Sequence, residues 1–161
     1  MGRTTDIRRE LKKVFLPTAL QLGFVVDDQN MPDSMIFRRA AGNVVQIFAL
    51  QWDKYGSPRF VLHFGTCPAE GLLVDGQFLA PSTVLPTWLP DSGSLKPRRG
   101  MSSRAWFRQD LPFLARLFSK AALRSPTEVV SEFMHLFSEV EEYWSSGRVG
   151  PHINLWNAAG R

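Results

Sequence analysis

The stretch FRRAAGNVVQIFALQWDKYGSPRFVLHFG, residues 37–65, decides the fold of this chain. Runs of β-branched and aromatic residues alternate here with turn-forming residues, which is the pattern of strands joined by short turns. The predicted strands are residues 35–40, 44–52 and 60–66. Gly42-Asn43 suits a two-residue hairpin turn, because glycine adopts a positive φ at little cost. The sequence therefore predicts a small antiparallel β-meander.

The middle strand of this meander is apolar on both faces. Side chains alternate between the two faces of a strand, so its apolar residues form two sets. One set is Phe48, Leu50 and Trp52, and the other is Val45, Ile47 and Ala49. A strand of this kind is usually central and covered on both sides. We therefore expect the second face to be covered by a C-terminal helix or by the long segment that follows the meander.

An amphipathic helix is predicted before the meander. Residues 6–22 have an apolar stripe at helical spacing, with basic residues on the opposite face. Pro17 lies inside this pattern and predicts a kink or two helical pieces, since proline removes a backbone hydrogen bond. Gly23 is placed to end the helix in a left-handed conformation.

Two more helices are predicted near the C-terminus. Residues 105–123 have apolar side chains near helical spacing, and Pro112 indicates that this helix starts near residue 110. The sequence SPTE at 125–128 is a capping box with proline in the first turn, which predicts a last helix that runs through Trp144 and is ended by Ser145-Ser146-Gly147. In the Pro/Gly-rich segment 67–104, residues 72–74 and 77–79 are each expected as an edge strand or a short turn.

These elements predict a single α+β domain over residues 1–145. In it, an antiparallel meander of three to five strands is packed by an N-terminal helix and two C-terminal helices. Residues 146–161 form a C-terminal tail that Ile153, Leu155 and Trp156 are suited to dock.

Length and composition limit the class of protein. The chain has 161 residues and a formal net charge of +4, and its one cysteine, Cys67, permits no internal disulfide. No apolar run reaches the roughly 18 residues of a membrane span. The start, MGRTTDIRRELKK, lacks the apolar region of a secretory signal. We expect a cytoplasmic protein without a membrane segment.

The residues that could perform chemistry are not grouped in the sequence. His63 and Cys67 are four positions apart on a strand, roughly 13 Å at the usual rise, which is too far for a nucleophile and its base. The histidines have no metal-ligand spacing, and the glycines match no phosphate-binding loop. The sequence therefore predicts no enzyme, no cofactor and no metal site.

A basic segment is the one candidate for partner binding. Its cations are Lys96, Arg98, Arg99, Arg104 and Arg108. They are interleaved with Trp106 and Phe107, which favours a cationic and partly aromatic surface for an acidic partner, either protein or, less favoured, nucleic acid. The alternative is a solvated loop whose two aromatic residues anchor it in the core, and charge runs by themselves favour that alternative.

The order of signals in residues 7–66 resembles a known bacterial family. Leu16-Pro17 lies in a first helix that ends in Leu22-Gly23-Phe24, and Phe37-Arg38-Arg39 lies in the next strand. A strand ending in glutamine, residues 45–51, precedes an aromatic-rich strand that closes in glycine, residues 60–65. This order resembles the family catalogued as domain of unknown function forty-three-zero-four. The resemblance implies a small α/β domain and supplies no activity, cofactor or catalytic residue.

The function expected from these observations is a non-catalytic protein-binding domain of the bacterial cytoplasm. An immunity-type protein that inhibits a toxin is the most concrete form of it. One alternative is a nucleic-acid-binding module that uses residues 96–108. Another is an enzyme with an unrecognised site built on His63.

Overall fold

The computed structural model describes residues 3–27, 31–99, 105–110 and 124–156. In these ranges the helices are α1 (Arg3–Glu10), α2 (Leu16–Gln21) and α3 (Pro126–Ser146), with a π-helical turn at Leu11–Phe15 and a 3₁₀ turn at Pro86–Trp88. The strands are β1 (Val25–Val26), β2 (Ser34–Ala41), β3 (Val44–Trp52), β4 (Arg59–Pro68), β5 (Leu72–Val74), β6 (Gln77–Leu79), β7 (Gly93–Leu95), β8 (Phe107–Arg108) and β9 (Ile153–Leu155). The mixed helix and strand content agrees with the predicted α+β class.

Seven of the described strands form one antiparallel sheet. Its order is β1-β2-β3-β4-β7-β9, with β8 also paired to β4, while β5 and β6 form a separate hairpin. The predicted meander is confirmed as β2-β3-β4, and Ala41 pairs with Val44 across the Gly42-Asn43 turn. Through β9, the C-terminal tail docks on the edge of the sheet. None of the helices in the described ranges is long and apolar enough to cross a membrane.

The N-terminal helix accommodates Pro17 with a wider turn. The backbone N–H of Leu16 donates to the carbonyl of Leu11, five residues back, which is a π-helical bond. Proline cannot donate a backbone hydrogen bond and its ring clashes one turn back, and a π-helical turn is one way to relieve such a conflict. The expected irregularity is therefore a π turn just before Pro17. The helix ends as predicted, with Gly23 at a φ of +87°.

One face of the sheet packs against the N-terminal helix and α3. The ring of Phe15 meets those of Phe48 and Phe133 edge-on, with centroids 5.9 and 4.8 Å apart. This contact joins β3 and both helices around one aromatic centre. The core predicted from the face and stripe patterns is confirmed, because all of its members are buried in this cluster: Leu11, Phe15, Phe48, Leu50, Leu62, Phe64 and Phe133.

The second face of the sheet is covered by residues 69–92, here called the covering layer. Ile47 and Ala49 of β3 are buried against Val84 and Leu89 of this layer. Leu89 packs so closely on Gly65 that a Cβ there would lie 2.8 Å from the leucine side chain. Of the two covers expected from the sequence, the long middle segment is the one observed at these residues.

The apolar pattern over residues 105–123 does not form a helix in its described part, residues 105–110. Phe107 and Arg108 form β8 and pair with β4. The ring of Phe107 stacks on Phe60 with centroids 5.3 Å apart, so its apolar character serves a strand in the core. Residues 111–123 lie outside the described residues. The described part of the chain therefore contains one C-terminal helix, α3, where two were expected.

The predicted start and end of α3 are confirmed. Ser125 Oγ accepts a hydrogen bond from the Glu128 backbone N–H, and the Glu128 carboxylate accepts one from the Ser125 N–H, which completes the capping box. Gly147 has a φ of +75° and ends the helix. These caps satisfy backbone groups that the helix itself leaves without partners.

Candidate functional site

The described members of the predicted basic segment differ in burial and in pairing. Lys96 follows β7 and is only 6 % exposed, and burial lowers the pKa of its ammonium. Arg108 of β8 donates to both carboxylate oxygens of Asp110, at 3.0 and 2.7 Å. Arg98 and Arg99 are exposed. Arg104 lies outside the described residues, so the five-residue partner site stays a prediction.

His63 lies on the second face of the sheet, where its ring contacts one polar and one aromatic side chain. Its Nε2 is 2.9 Å from Gln51 Oε1, and its ring meets that of Trp156 with centroids 5.0 Å apart. Burial, with a smaller effect of the Lys96 charge, lowers the pKa of His63 to about 4. The ring is therefore neutral near pH 7. Because an amide oxygen only accepts hydrogen bonds, Nε2 donates to Gln51 and the unprotonated nitrogen is Nδ1.

Ser94 is the neighbour of His63 across the β4–β7 pairing. In the described part of the chain, His63 Nδ1 and Ser94 Oγ are both buried without a hydrogen-bond partner. A hydroxyl beside a basic nitrogen is the pairing that activates a serine nucleophile. Here the two atoms share no hydrogen bond, and Ser94 is 1 % exposed. A substrate does not reach this hydroxyl in the observed arrangement.

Cys67 is equally inaccessible. It is fully buried beneath the covering layer, together with Val84 and Leu89. Burial raises the pKa of its thiol, which keeps the sulfur in its unreactive protonated form. Among the described residues, no three His, Cys, Asp or Glu side chains are grouped closely enough to hold a metal ion.

The most unusual exposed feature is an apolar surface on the covering layer. Leu73 and Phe78 are directly opposite each other in the β5–β6 hairpin, and they are 70 % and 64 % exposed. Trp88, in the 3₁₀ turn, is 53 % exposed. We call Leu73, Phe78 and Trp88 the hairpin surface. The sequence predicts residues 72–74 and 77–79 as edge strands or short turns, and in the structure they are the two strands of a hairpin. The sequence pattern does not indicate that their outward side chains are apolar.

A cleft of about 500 Å³ adjoins the hairpin surface. Leu72, Leu73 and Leu89 line it, and Trp88 and Trp156 provide aromatic walls. The Trp156 backbone N–H donates to the Ser92 carbonyl at 3.0 Å, and its ring rests on His63. The cleft therefore lies between the covering layer and the C-terminal tail, and each contributes one tryptophan.

Arg38 fastens the covering layer to the sheet. Its Nη1 donates to the carbonyls of Pro81 and Val84, at 2.7 and 2.8 Å. Its Nε and Nη2 both donate to Asp27 Oδ2, at 3.1 and 2.9 Å. A guanidinium has its donors in a rigid fork, so this one residue fixes two carbonyls of the layer relative to β2. The hairpin surface and its cleft thus belong to a layer with a defined position.

Comparison with known proteins adds no relative. No family model, no curated protein and no solved structure matches this chain. The resemblance to the family of unknown function stays a prediction.

Proposed function

We propose that this protein is a non-catalytic protein-binding domain whose partner docks on the hairpin surface and the adjacent cleft. The observation that carries the proposal is the exposure of Leu73, Phe78 and Trp88. Leu73 and Phe78 are opposite each other in the hairpin, and Leu73 and Trp88 line the same cleft. Contiguous exposed apolar side chains mark interaction sites more often than ordinary protein surface. Tryptophan is also among the residues that most often dominate the energetics of an interface.

The inner side of the hairpin supports this role. Leu72 and Leu79 pack against the buried cluster on the second face of the sheet, while Leu73 and Phe78 face outward. The hairpin is therefore anchored from below, and its outward apolar residues are held in place before a partner arrives. A surface organised in advance loses less entropy on binding.

The burial of the possible nucleophiles near His63 and the lowered pKa of its ring favour a binding function over catalysis. Ser94, which pairs with His63 across β4–β7, and Cys67, on the same strand as His63, are both buried. The pKa of His63 is lowered to about 4, whereas a general base works best with a pKa near the working pH. These observations support the non-catalytic part of the proposal.

A nucleic-acid-binding module has less support from the described residues. Affinity for nucleic acid depends on cations that contact phosphates. Lys96 is buried and Arg108 is paired with Asp110, which leaves Arg98 and Arg99 as the exposed cations of the described part of the segment. An immunity-type toxin inhibitor in the cytoplasm is the most specific form of the proposed function, since such an inhibitor needs an exposed surface and no chemistry.

The test is quantitative affinity capture with matched variants. The variant Leu73→Ser with Trp88→Ala removes two apolar anchors, and Tyr55→Ala removes an exposed aromatic residue elsewhere, 81 % exposed. A partner of the hairpin surface is captured by the wild type and by Tyr55→Ala, and about 30-fold less by the double variant, as expected for a loss of roughly 2 kcal/mol at a hot spot. Equal capture by the wild type and the double variant would overturn the assignment of this surface.

A further arm separates the two candidate surfaces. The variant Arg98→Ala with Arg99→Ala is used to capture partners from the same lysate, with and without nuclease. We expect it to retain the partners of the hairpin surface. If its partners are lost and nuclease also removes them from the wild type, the protein is a nucleic-acid-binding module that uses the basic segment.

A further inference from the structure

We infer that the partner presents an apolar side chain flanked by lysine or arginine, and that it is a basic protein segment. The inference rests on the proposed function, because it concerns the same surface. We draw it from the negative charge of the acidic residues beside the hairpin surface, which is opposite in sign to the net charge of the chain.

Two exposed carboxylates belong to the hairpin or adjoin it. Glu70 immediately precedes the hairpin, next to Gly71, on which the ring of Phe78 packs, and Asp75 lies in the hairpin turn and lines the cleft. Neither has an ion pair with another described residue. The chain as a whole has a formal net charge of +4. Acidic residues beside an apolar surface of a basic protein are a local feature that a basic partner would complement.

Several other acidic side chains of the described structure pair with arginines and so contribute to the internal contacts of the fold: Asp27 with Arg38, Asp53 with Arg59, Asp110 with Arg108, Glu132 with Arg124 and Glu141 with Arg39. Glu70 and Asp75 differ because they are exposed and lie immediately before and within the hairpin whose outward side chains are Leu73 and Phe78.

Asp75 has a structural use that must be separated from its charge. Its φ is +48°, and Gly76 follows it with a φ of +77°, so the pair forms a two-residue hairpin turn with both residues left-handed. Aspartate and asparagine both tolerate this conformation. Asp75→Asn therefore keeps the turn and removes only the charge, which makes it a clean probe of the inference.

The cleft defines the rest of the partner. Its volume of about 500 Å³ admits one large apolar side chain, and Trp88 and Trp156 supply aromatic walls for it. A cation next to that anchor would meet the carboxylate of Asp75, which lines the cleft. An arginine there can also stack on the exposed indole of Trp88, since cations are attracted to aromatic faces.

A displayed library of random 12-residue peptides tests this inference without the natural partner. Peptides are selected on the full-length wild type and then sorted by whether Trp88→Ala abolishes their binding. We expect the Trp88-dependent peptides to contain an aromatic or long aliphatic residue with lysine or arginine enriched beside it. The variant Glu70→Gln with Asp75→Asn should bind these peptides about 10-fold more weakly at low salt, with the difference shrinking in high salt.

Glu142→Gln, on α3 and paired with Arg148, is the matched control and should bind as the wild type does. If Trp88-dependent peptides show no basic enrichment, or if the Glu70→Gln, Asp75→Asn variant binds them equally well, the inference fails and the proposed function stands. If no selected peptide depends on Trp88, the hairpin surface is not a docking site and both fail.

Discussion

The carboxylate of Glu139 holds His152 at two points. Its Oε2 accepts a hydrogen bond from the His152 backbone N–H at 2.9 Å, and its Oε1 lies 2.6 Å from the imidazole Nδ1. Gly150 packs on the same carboxylate, so closely that a Cβ at this position would overlap it. Because residues 153–155 form β9, this contact on α3 positions the tail for its pairing with β7.

Glu139→Ala should detach the tail from the sheet. Hydrogen bonds to a charged group contribute about 1.5–3 kcal/mol each to stability. We expect a loss of roughly 2 kcal/mol in the free energy of unfolding and faster amide exchange over residues 152–156. Glu142→Ala, three residues further along α3 and more exposed, is the control and should change stability by less than about 0.5 kcal/mol. Unchanged exchange in β9 would contradict this role for Glu139.

The meander was predictable because its determinants are local. The Gly42-Asn43 turn sets the register of Ala41 against Val44, and the alternation along β3 assigns its two faces correctly. The capping box at 125–128 determines the start of α3 in the same way. Each of these features depends on residues within a few positions of one another.

The edge strands and the candidate site depend on contacts between distant segments. β7 and β9 are three residues long, and Ser94 faces Asn154 although they are far apart in sequence. The run AWFRQD resembles a helix by its spacing, but Phe107 stacks on Phe60 and the segment pairs with β4 instead. The outward direction of Leu73 and Phe78 follows from Leu72 and Leu79 facing the sheet, which the sequence of the hairpin does not specify.

Phe64→Ala should destabilise the protein strongly. Phe64 is fully buried, and its ring meets those of Tyr143 and Trp144 on α3 with centroids 5.6 and 5.9 Å away. Truncating a buried phenylalanine costs about 3–5 kcal/mol through lost contacts and the cavity left behind. Chemical denaturation measures the change, and Tyr55→Ala serves as an exposed aromatic control. A Phe64→Ala protein of wild-type stability would show that the core assignment is wrong.

Arg38→Ala should loosen the covering layer. The substitution removes the guanidinium donor from the carbonyls of Pro81 and Val84 and breaks the ion pair between Arg38 and Asp27. Arg38→Lys should be nearly as harmful, because a single ammonium does not reproduce the fork that spans these groups. We expect a loss of about 2–4 kcal/mol and faster amide exchange in residues 69–92, in line with breaking a largely buried ion-pair network.

The control for Arg38 is Arg9→Ala, which removes an exposed arginine whose i,i+3 contact is with Asp6 on the surface of α1. The free energy of unfolding of the Arg9→Ala variant should stay within about 0.5 kcal/mol of that of the wild type. If Arg38→Lys were indistinguishable from the wild type, charge alone would be sufficient and the fork geometry would be irrelevant.

Cys67 should resist thiol reagents in the folded protein. It is fully buried, and burial raises the pKa of its thiol, so both access and thiolate fraction are low. We expect reaction with a disulfide reagent to be on the order of 100-fold slower than in denaturant. Thr87→Cys in a Cys67→Ala background, at an exposed position of the same layer, should react at once. Rapid labelling of native Cys67 would mean that the covering layer opens readily.

His63 should make stability depend on pH below neutrality. Its pKa is lowered from 6.5 to about 4 in the folded protein, because burial and, to a smaller extent, the Lys96 charge disfavour the protonated ring. Between these values the unfolded chain binds a proton that the folded protein does not. The contribution of neutral His63 is therefore present above pH 6.5 and is lost as the pH falls towards 4, by roughly 3 kcal/mol at most.

The free energy of unfolding measured from pH 8 to pH 4 tests this linkage. His63→Gln keeps a side chain that can donate to Gln51 and does not titrate, so its stability curve should be flatter than that of the wild type between pH 6.5 and 4. His135→Gln, on the exposed face of α3, should keep the wild-type slope. Carboxylates such as Asp53 are present in all three proteins and cancel in the comparison. Parallel curves for the wild type and His63→Gln would show that His63 becomes protonated as readily in the folded state as in the unfolded chain.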